Sequence, residues 1–439
     1  MAKIVLVGAG SFVFGRDFIA DIMLYPKLGG STLMLMDVDK ERLDLATAFA
    51  RKLTEQNKLK LKIESTTDRR EALDGADYVI TSIRAGGWKA QQVLREITMK
   101  HGEEIQPDAL GPGGIFGGLC QIPAILEICH DMEKVCPDAW LLNYCNPMAI
   151  ICWAINDYTT IKNVGLCPNP TGGSQRFGRV LGLPPEDIYY SVAGLNHFSW
   201  FLDILYKGED CYPRLRELYK DPDSHLKPLY PGGHLDPVEI EIFKTFGYFD
   251  TGGGHTSIYL PYFRRTPEIV ERYRMGDNSR MYNEAPLNSA KQDAEIRQQL
   301  KSGKKFELSS EHRFTVIAAQ VINAIETNTQ TRIFGNVKNN GLITNLLEGC
   351  VVEVPCMVDR GGVHPAYVGD LPTQLAALNS SSVYVQKMAV EGIVEKDKNK
   401  VQQSIVLDPL TNSMLSIDEI KQMVAEIFKA EKEFLKGYK

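Results

Sequence analysis

Apolar residues in the first half of the chain fall in short unbroken runs. In the second half they recur at helical spacing. KIVLVGAG at the start, then STLMLMD, DYVITSI, AWLLNY and NVGLC, are β-rich runs that each end in turn residues. None alternates apolar with polar, which is the pattern of strands covered by helices on both faces. Helical spacings at 39–55, 118–136 and 147–157 lie between them. Strands alternating with helices predict right-handed βαβ units and a parallel sheet, an α/β fold class.

The pattern changes near residue 190. IYYSVAG and WFLDILY read as paired strands on either side of His197, and a Pro/Gly-rich stretch follows at 227–237. Long helical spacings then dominate at 288–301, 311–326, 371–395 and 417–434. A length of 439 residues favours two packed lobes over one simple core. The expected division is 1–190, a doubly wound sheet, and 191–439, a mixed α+β lobe. The chain shows no internal repeat and no low-complexity segment.

Composition narrows the partners. The chain is 44% hydrophobic and 24% charged, with net charge -6 and a pI of about 5.9. That balance gives no attraction to nucleic acid or to an anionic membrane, so neither is expected as a partner. The opening MAKIVLVGAG has one basic residue and a short apolar run ending in glycines, too short for a signal peptide. No run reaches the roughly eighteen apolar residues of a membrane span. A cytoplasmic protein is expected. Nine cysteines are scattered through the chain, and Cys129, Cys152 and Cys350 stand in apolar runs. They read as buried thiols without disulfides.

Gly8 and Gly10 follow the first strand and open a helix. A turn without side chains there lets the backbone approach a pyrophosphate, which sits over the helix N-terminus. Val13 stands where the usual fingerprint has its third glycine, and a plain strand-to-helix turn is the alternative reading. The second strand ends in Asp37, where a carboxylate grips the adenosine ribose and favours NAD over NADP. The alternative for Asp37 is a helix N-cap. Together these features predict a Rossmann-type sheet with NAD as cofactor. The fourth strand leads into Ser82-Ile83-Arg84-Ala85-Gly86-Gly87, a loop at the ligand crevice. Ser11, Ser82 and Asn146 complete the expected cofactor set. Arg84 reads as a substrate ligand or a surface charge.

Three further segments end strands on that crevice: Asn143-Tyr144-Cys145-Asn146-Pro147, Gly165-Leu166-Cys167-Pro168 and Gly194-Leu195-Asn196-His197. A thiolate from Cys167 and an imidazole from His197 together suit a divalent ion with positions left open for substrate oxygens. The alternative is a core cysteine and a core histidine.

Ordered along the chain are VGAGS, PDALGPGG, NYCNPMAI, GLC, GLNH, GHTSIYLPYF, GNVKNNGLITNL, VEVPCMVD and VGDLPTQLAAL. In these segments the chain resembles glycoside hydrolase family 4, especially its α-galactosidase, α-glucosidase and α-uronidase branch. The resemblance covers nearly the whole chain. It implies a lactate/malate dehydrogenase-like fold. It also implies NAD and a divalent metal, usually manganese, as cofactors, and a homodimer or homotetramer. This family is an exception to two-carboxylate glycoside hydrolysis. In it, NAD takes a hydride from C3 of the sugar, which acidifies C2–H. A base removes that proton and the aglycone leaves from C1. Water then adds and the hydride returns. The expected function is hydrolysis of a hexopyranoside, α-linked galactoside, glucoside or uronide. The alternatives are a 6-phospho-glycosidase or other C6-anionic glycosidase of the family, and a lactate/malate-type dehydrogenase.

The resemblance assigns residues. Cys167 and His197 match the metal ligands, and Asp108 matches an acid that protonates the leaving group. Tyr259 matches the C2 base, with His255 four residues earlier as its rival, on the same face if the segment is a helix. Asn146 matches a sugar contact, Asn196 is expected to contact substrate as well, and Arg84 or Arg264 would meet an anionic C6 group. One segment departs from the family. Cys167-Pro168-Asn169-Pro170 has proline where the neutral-sugar branch has His and phospho branches have Asp or Asn, while its closing proline is shared with the phospho branches.

Overall fold

The first β-rich run forms β1 (Lys3–Val7), fully apolar at four of its five positions and buried there. β2 (Thr32–Met36), β4 (Tyr78–Thr81), β5 (Trp140–Asn143) and β6 (Lys162–Leu166) come from the other four runs. β3 (Lys62–Thr66), a polar run, adds a partly exposed edge. The order is β3-β2-β1-β4-β5-β6, all parallel, the arrangement of a doubly wound dinucleotide-binding sheet. The computed structural model describes residues 1–11, 15–102, 112–220, 237–273, 279–308, 316–432 and 435–438, leaving out the side chains of Pro112, 254–255 and 279–286.

The sheet does not stop at β6. β10 (Thr331–Lys338) pairs with it antiparallel, followed by β11 (Val351–Asp359), β7 (Ile188–Leu195), β8 (Phe198–Tyr206) and the short β9 (Glu209–Asp210). β12 (Gly362–Pro365) also pairs with β11, giving one twelve-stranded sheet among the described residues. The β7–β8 pair confirms the hairpin expected around His197. The strands β10, β11 and β12 were not anticipated. β10 and β11 carry Asn336 and Glu353 inside apolar runs, and both polar side chains are fully buried.

Helices cover the sheet. In the first half they are α1 (Gly15–Met23), α2 (Lys40–Gln56), α3 (Arg69–Leu73), α4 (Gly87–Lys100), α5 (Pro112–Val135), α6 (Met148–Tyr158) and α7 (Gly173–Leu181). In the second they are α8 (Tyr212–Leu218), α9 (Pro237–Phe246), α10 (Pro267–Arg272), α11 (Ser279–Ser302), α12 (Ala318–Thr327), α13 (Thr373–Val394), α14 (Lys398–Leu407), α15 (Pro409–Met414) and α16 (Ile417–Ala430). The expected helices match α2, α5, α6, α12, α13 and α16 within a turn or two, the start of the 311–326 spacing lying outside the described residues, while α11 begins at Ser279, well before the expected 288. α5 begins earlier than expected. Its Gly113–Val135 stretch is long and apolar enough to cross a bilayer. It nonetheless packs in the core against α3, α6 and α13.

Two apolar clusters result. The larger lies between the sheet and helices such as α1, α2, α5, α6 and α13. The smaller is aromatic, built from Phe177, Phe201, Tyr212, Phe243 and Phe249 against the outer face of β7 and β8. Each residue in them adds burial, on the order of 1.5–3 kcal/mol for a fully buried large side chain. All nine cysteines are free thiols, and eight of them are buried.

Candidate active site

The glycine turn is built as its sequence demands. Gly8 sits at φ +92°, and a Cβ there would run into the backbone carbonyl of Ser82. Gly8 and Ala9 donate their N–H groups to the Met36 carbonyl, which ties the end of β1 to the end of β2. Gly10 donates its N–H to Asp37 Oδ2 at 2.8 Å. A Cβ on Gly10 would lie 2.6 Å from the Arg42 Cβ and 3.0 Å from that carboxylate oxygen. The cap of α2 is Asp39, whose side chain accepts from the N–H groups of Glu41 and Arg42. The N-cap role therefore belongs to Asp39, and Asp37 stays at the strand end facing the glycines. Ser82 Oγ donates to Ser11 Oγ at 3.2 Å. Gly8, Gly10, Ser11, Asp37 and Ser82 thus come together at the C-terminal ends of β1, β2 and β4, while Val13 lies outside the described residues.

The loop after β4 is clamped by a side chain that sequence reasoning missed. Gln121 on α5 is buried, accepts the Ala85 N–H at 2.7 Å and donates to the Ile83 carbonyl at 2.6 Å. Ile83 also donates its N–H to Cys145 Sγ at 3.2 Å, which joins this loop to the one after β5. Arg84 lies over the Trp88 ring, 4.2 Å from its centroid, and donates to Gln91. It is a held guanidinium, not a loose surface charge. Asn146, at the start of α6, precedes a cis peptide bond to Pro147 and accepts the Met148 N–H at 3.2 Å.

Cys167 follows β6 directly and is buried. Burial, and then the negative charge of Glu353, push its thiol well above the usual range. The N–H of Asn169 and the amide of Asn196 hydrogen-bond the sulfur and pull the other way. The last pair of β7 and β8 is Leu195 with Phe198, so Asn196 and His197 form a two-residue turn. His197 takes a left-handed φ of +57° and is buried. Gly252 passes so close to the His197 carbonyl that a Cβ there would strike it. Strand pairing from Gly165 through Asn336 and Glu353 to Gly194 brings the end of β6, which Cys167 follows, into line with the hairpin that carries His197. The Asn196 amide donates to Glu353 Oε1 at 3.4 Å, so Asn196 is engaged with protein groups.

Tyr259 closes a 3-10 helix at Gly253–Ile258 and is buried. Its ring stacks on Phe198, with centroids 4.9 Å apart and planes at 9°. Phe198 is the neighbour of His197, so Tyr259 stands beside the same hairpin. His255 lies within the 3-10 helix, which turns every three residues, so a four-residue spacing does not share a face there. The expectation of a shared α-helical face with Tyr259 is corrected accordingly, and the His255 side chain lies outside the described residues. Arg264 is largely buried and donates through Nε to Ser257 Oγ at 2.9 Å. Asp108 lies outside the described residues.

Glu353 was also missed. It is fully buried in mid-β11. Burial raises its pKa, and bonds from Ser199, Asn336 and Asn196 oppose that rise. Its only sequence signal is a carboxylate in the apolar run VVEVPCMVD.

Known proteins resemble the chain from end to end. An α-galactosidase of Bacillus subtilis is 35% identical over 447 residues, covering 100% of both chains. A 6-phospho-α-glucosidase from gut microorganisms, solved with NAD and Mn2+, superposes with a TM-score of 0.84 at 22% identity, covering 99% of this chain and 98% of the other. Malate dehydrogenase from Plasmodium falciparum shares the fold more distantly, with a TM-score of 0.53 at 12% identity over 90% of this chain and 99% of its own. The family 4 glycosyl hydrolase model matches residues 3–183, and the model of that family's C-terminal domain matches residues 192–411. With both models covering most of its length, the chain belongs to glycosyl hydrolase family 4 and is a glycoside hydrolase.

Proposed function

We propose that the chain hydrolyses an α-linked hexopyranoside, a galactoside, glucoside or uronide, with NAD and a divalent ion, manganese first, as resident cofactors. The observation that carries this reading is the run of hydrogen bonds from Gly165 through Asn336 and Glu353 to Asn196, which joins the end of β6, two residues before Cys167, to the turn bearing His197. The residues suit the cofactors. Gly8 and Gly10 leave a cradle that a Cβ would fill, and Asp37 stands at its edge. A thiol and an imidazole are donors for a borderline-soft divalent ion. Among the described residues no cluster of three or more His, Cys, Asp or Glu could hold an ion alone. Two protein donors leave positions for sugar hydroxyls.

When bound, NAD would supply a hydride acceptor and donor for C3 of the sugar, and the ion would supply Lewis-acid polarisation. The chain's own residues do the rest. Tyr259 removes the C2 proton, with His255 as the rival base. Asp108 protonates the leaving oxygen. Asn146 and Asn196 orient the sugar, and Arg84 and Arg264, each already fixed by a neighbour, present guanidinium groups to its C6 side. Residues 1–190 carry the nucleotide, and 191–439 close the sugar site and form the oligomer contacts.

We further place the protein in the cytoplasm as a homodimer or homotetramer. Nine free thiols suit a reducing compartment. Exposed apolar side chains in the second half, among them Leu287, Met357 and Tyr384, support a subunit contact. The test is an assay of protein freed of nucleotide and metal against nitrophenyl α-galactoside, α-glucoside, uronides and 6-phosphates. Turnover is expected only when NAD and Mn2+ are both restored. Full-rate turnover without NAD contradicts the reading.

A further inference from the structure

We propose that Glu353 is a positioning residue that holds Cys167 and His197 in register as one two-donor site, an inference resting on those two being the metal ligands. Glu353 lies in the antiparallel half of the sheet, on β11 between β10 and β7. Its Cα pairs with Gly194 of β7 on one side and Asn336 of β10 on the other. Asn336 in turn pairs with Gly165 of β6, two residues before Cys167. A single carboxylate therefore sits between the strand leading to the thiol and the hairpin bearing the imidazole.

Its bonds run to both. Oε1 accepts from Asn336 Nδ2 at 2.9 Å and from Asn196 Nδ2 at 3.4 Å, and Oε2 accepts from Ser199 Oγ at 2.6 Å. Asn196 and Ser199 flank His197 along the chain, so the carboxylate grips the turn on both sides of the ligand. That grip matters because His197 takes a left-handed backbone, which is disfavoured for a non-glycine residue. On the other side, Asn336 Nδ2 also reaches the Gly165 carbonyl at 3.4 Å. Gly165 stands two residues before Cys167, so this bond ties the carboxylate to the strand end that carries the thiol. The strand end before Cys167 and the turn around His197 are thus tied to the same carboxylate.

The chemistry around Glu353 points the same way. The donors to Glu353 are all neutral, so its burial is not offset by a cationic partner among them. An apolar residue would serve a sheet core at less cost. The carboxylate has what an apolar residue lacks, namely two acceptors that fix the directions of three donors at once. Ser199 Oγ lies 2.6 Å from Thr251 Oγ, which extends the ladder toward the segment ending in Tyr259.

The test uses full-length protein freed of metal and titrated with Mn2+, the free ion being read by electron paramagnetic resonance. A parallel titration with Co2+ reads the thiolate-to-cobalt charge-transfer band, which reports the Cys167 bond directly. Glu353→Gln keeps the shape and one acceptor while replacing the other by an amide NH2. We expect it to weaken Mn2+ binding by roughly ten- to a hundred-fold and to diminish the cobalt band, with NAD affinity unchanged. Ser199→Ala removes one donor only and is expected to act in the same direction, more weakly, should Glu353→Gln not fold. Mn2+ affinity within about two-fold of wild type with an unaltered cobalt band, in either variant, overturns the inference. A lower melting temperature alone, with metal binding intact, does so too. Cys167→Ser separates the two levels: if it binds Mn2+ as tightly as wild type, the ligand assignment falls and this inference with it. If it loses Mn2+ while Glu353→Gln keeps it, only the role of Glu353 falls.

Discussion

Single atoms decide most of what happens at the ends of β1, β6 and β7. A methyl group on Gly10 has nowhere to go between the Arg42 Cβ and Asp37. Gly10→Ala is therefore expected to push Asp37 away and weaken NAD binding at least about ten-fold, equivalent to roughly 1.4 kcal/mol, in a fluorescence titration. An unchanged dissociation constant contradicts the cradle. Gly252→Ala places a methyl against the His197 carbonyl. It is expected to lower Mn2+ affinity while leaving NAD affinity alone, since the glycine turn is on another part of the sheet; equal losses of both ligands would show a general collapse instead. Gly8, Gly10 and Asp37 were legible in the sequence because a strand, a turn and a helix start lie within a few residues of one another. Glu353 was not, because its partners Asn196, Ser199 and Asn336 belong to a turn and two other strands distant in the chain. The sequence shows only a charge in an apolar run, and that pattern does not say what the charge meets. Gln121 escaped for the same reason, since its loop partners precede it by 36 and 38 residues.

Elements with one dominant periodicity were read correctly, and elements with a mixed pattern were not. α6 is apolar along nearly its whole length and sits where expected. β3 was overlooked because an edge strand exposed to water carries polar residues, and KIEST lacks the apolar signature of its neighbours. The segment before Tyr259 forms a 3-10 helix, a choice that spacing alone does not encode. The junction of α14 and α15 offers a prediction of its own. Asp408 caps α15, accepting from the Thr411 N–H at 2.9 Å and from its hydroxyl at 2.8 Å. Burial nevertheless pushes its carboxyl up to about 6, against the two bonds from Thr411. A carboxyl whose folded pKa exceeds its unfolded value stabilises the fold fully below the unfolded pKa of 3.8, and that contribution is lost as pH rises through about 6. Asp408→Asn keeps a capping acceptor and removes the charge. Its stability advantage over wild type is expected to grow by about 1 kcal/mol between pH 5 and pH 8 in denaturant melts. A difference that does not change with pH contradicts this account of the cap.

Among the described residues the strands form one sheet with a parallel and an antiparallel half. Its parallel half, β3 to β6, ends in the glycine turn, Asp37 and the clamped loop after β4. Its antiparallel half begins at β10 and brings the His197 hairpin back toward Cys167 at the end of β6. The change from parallel to antiparallel pairing occurs at β6, so the thiol stands where the two halves meet. The α/β class, the parallel strands and the change of pattern near residue 190 were legible because helix-covered strands leave unbroken apolar runs. That the two halves share a sheet was not, because the pairing of β6 with β10 joins residues 169 and 171 positions apart. The proposed chemistry uses this meeting point to break a C–H bond that direct displacement at C1 would leave intact. The most direct test is turnover of a hydrolysed α-hexoside in deuterium oxide, with NAD and Mn2+ present, followed by mass and proton magnetic resonance analysis of the released sugar. The account predicts one deuterium at C2 of the product, and its loss together with turnover in Tyr259→Phe. A product formed at the normal rate with only hydrogen at C2 would contradict it.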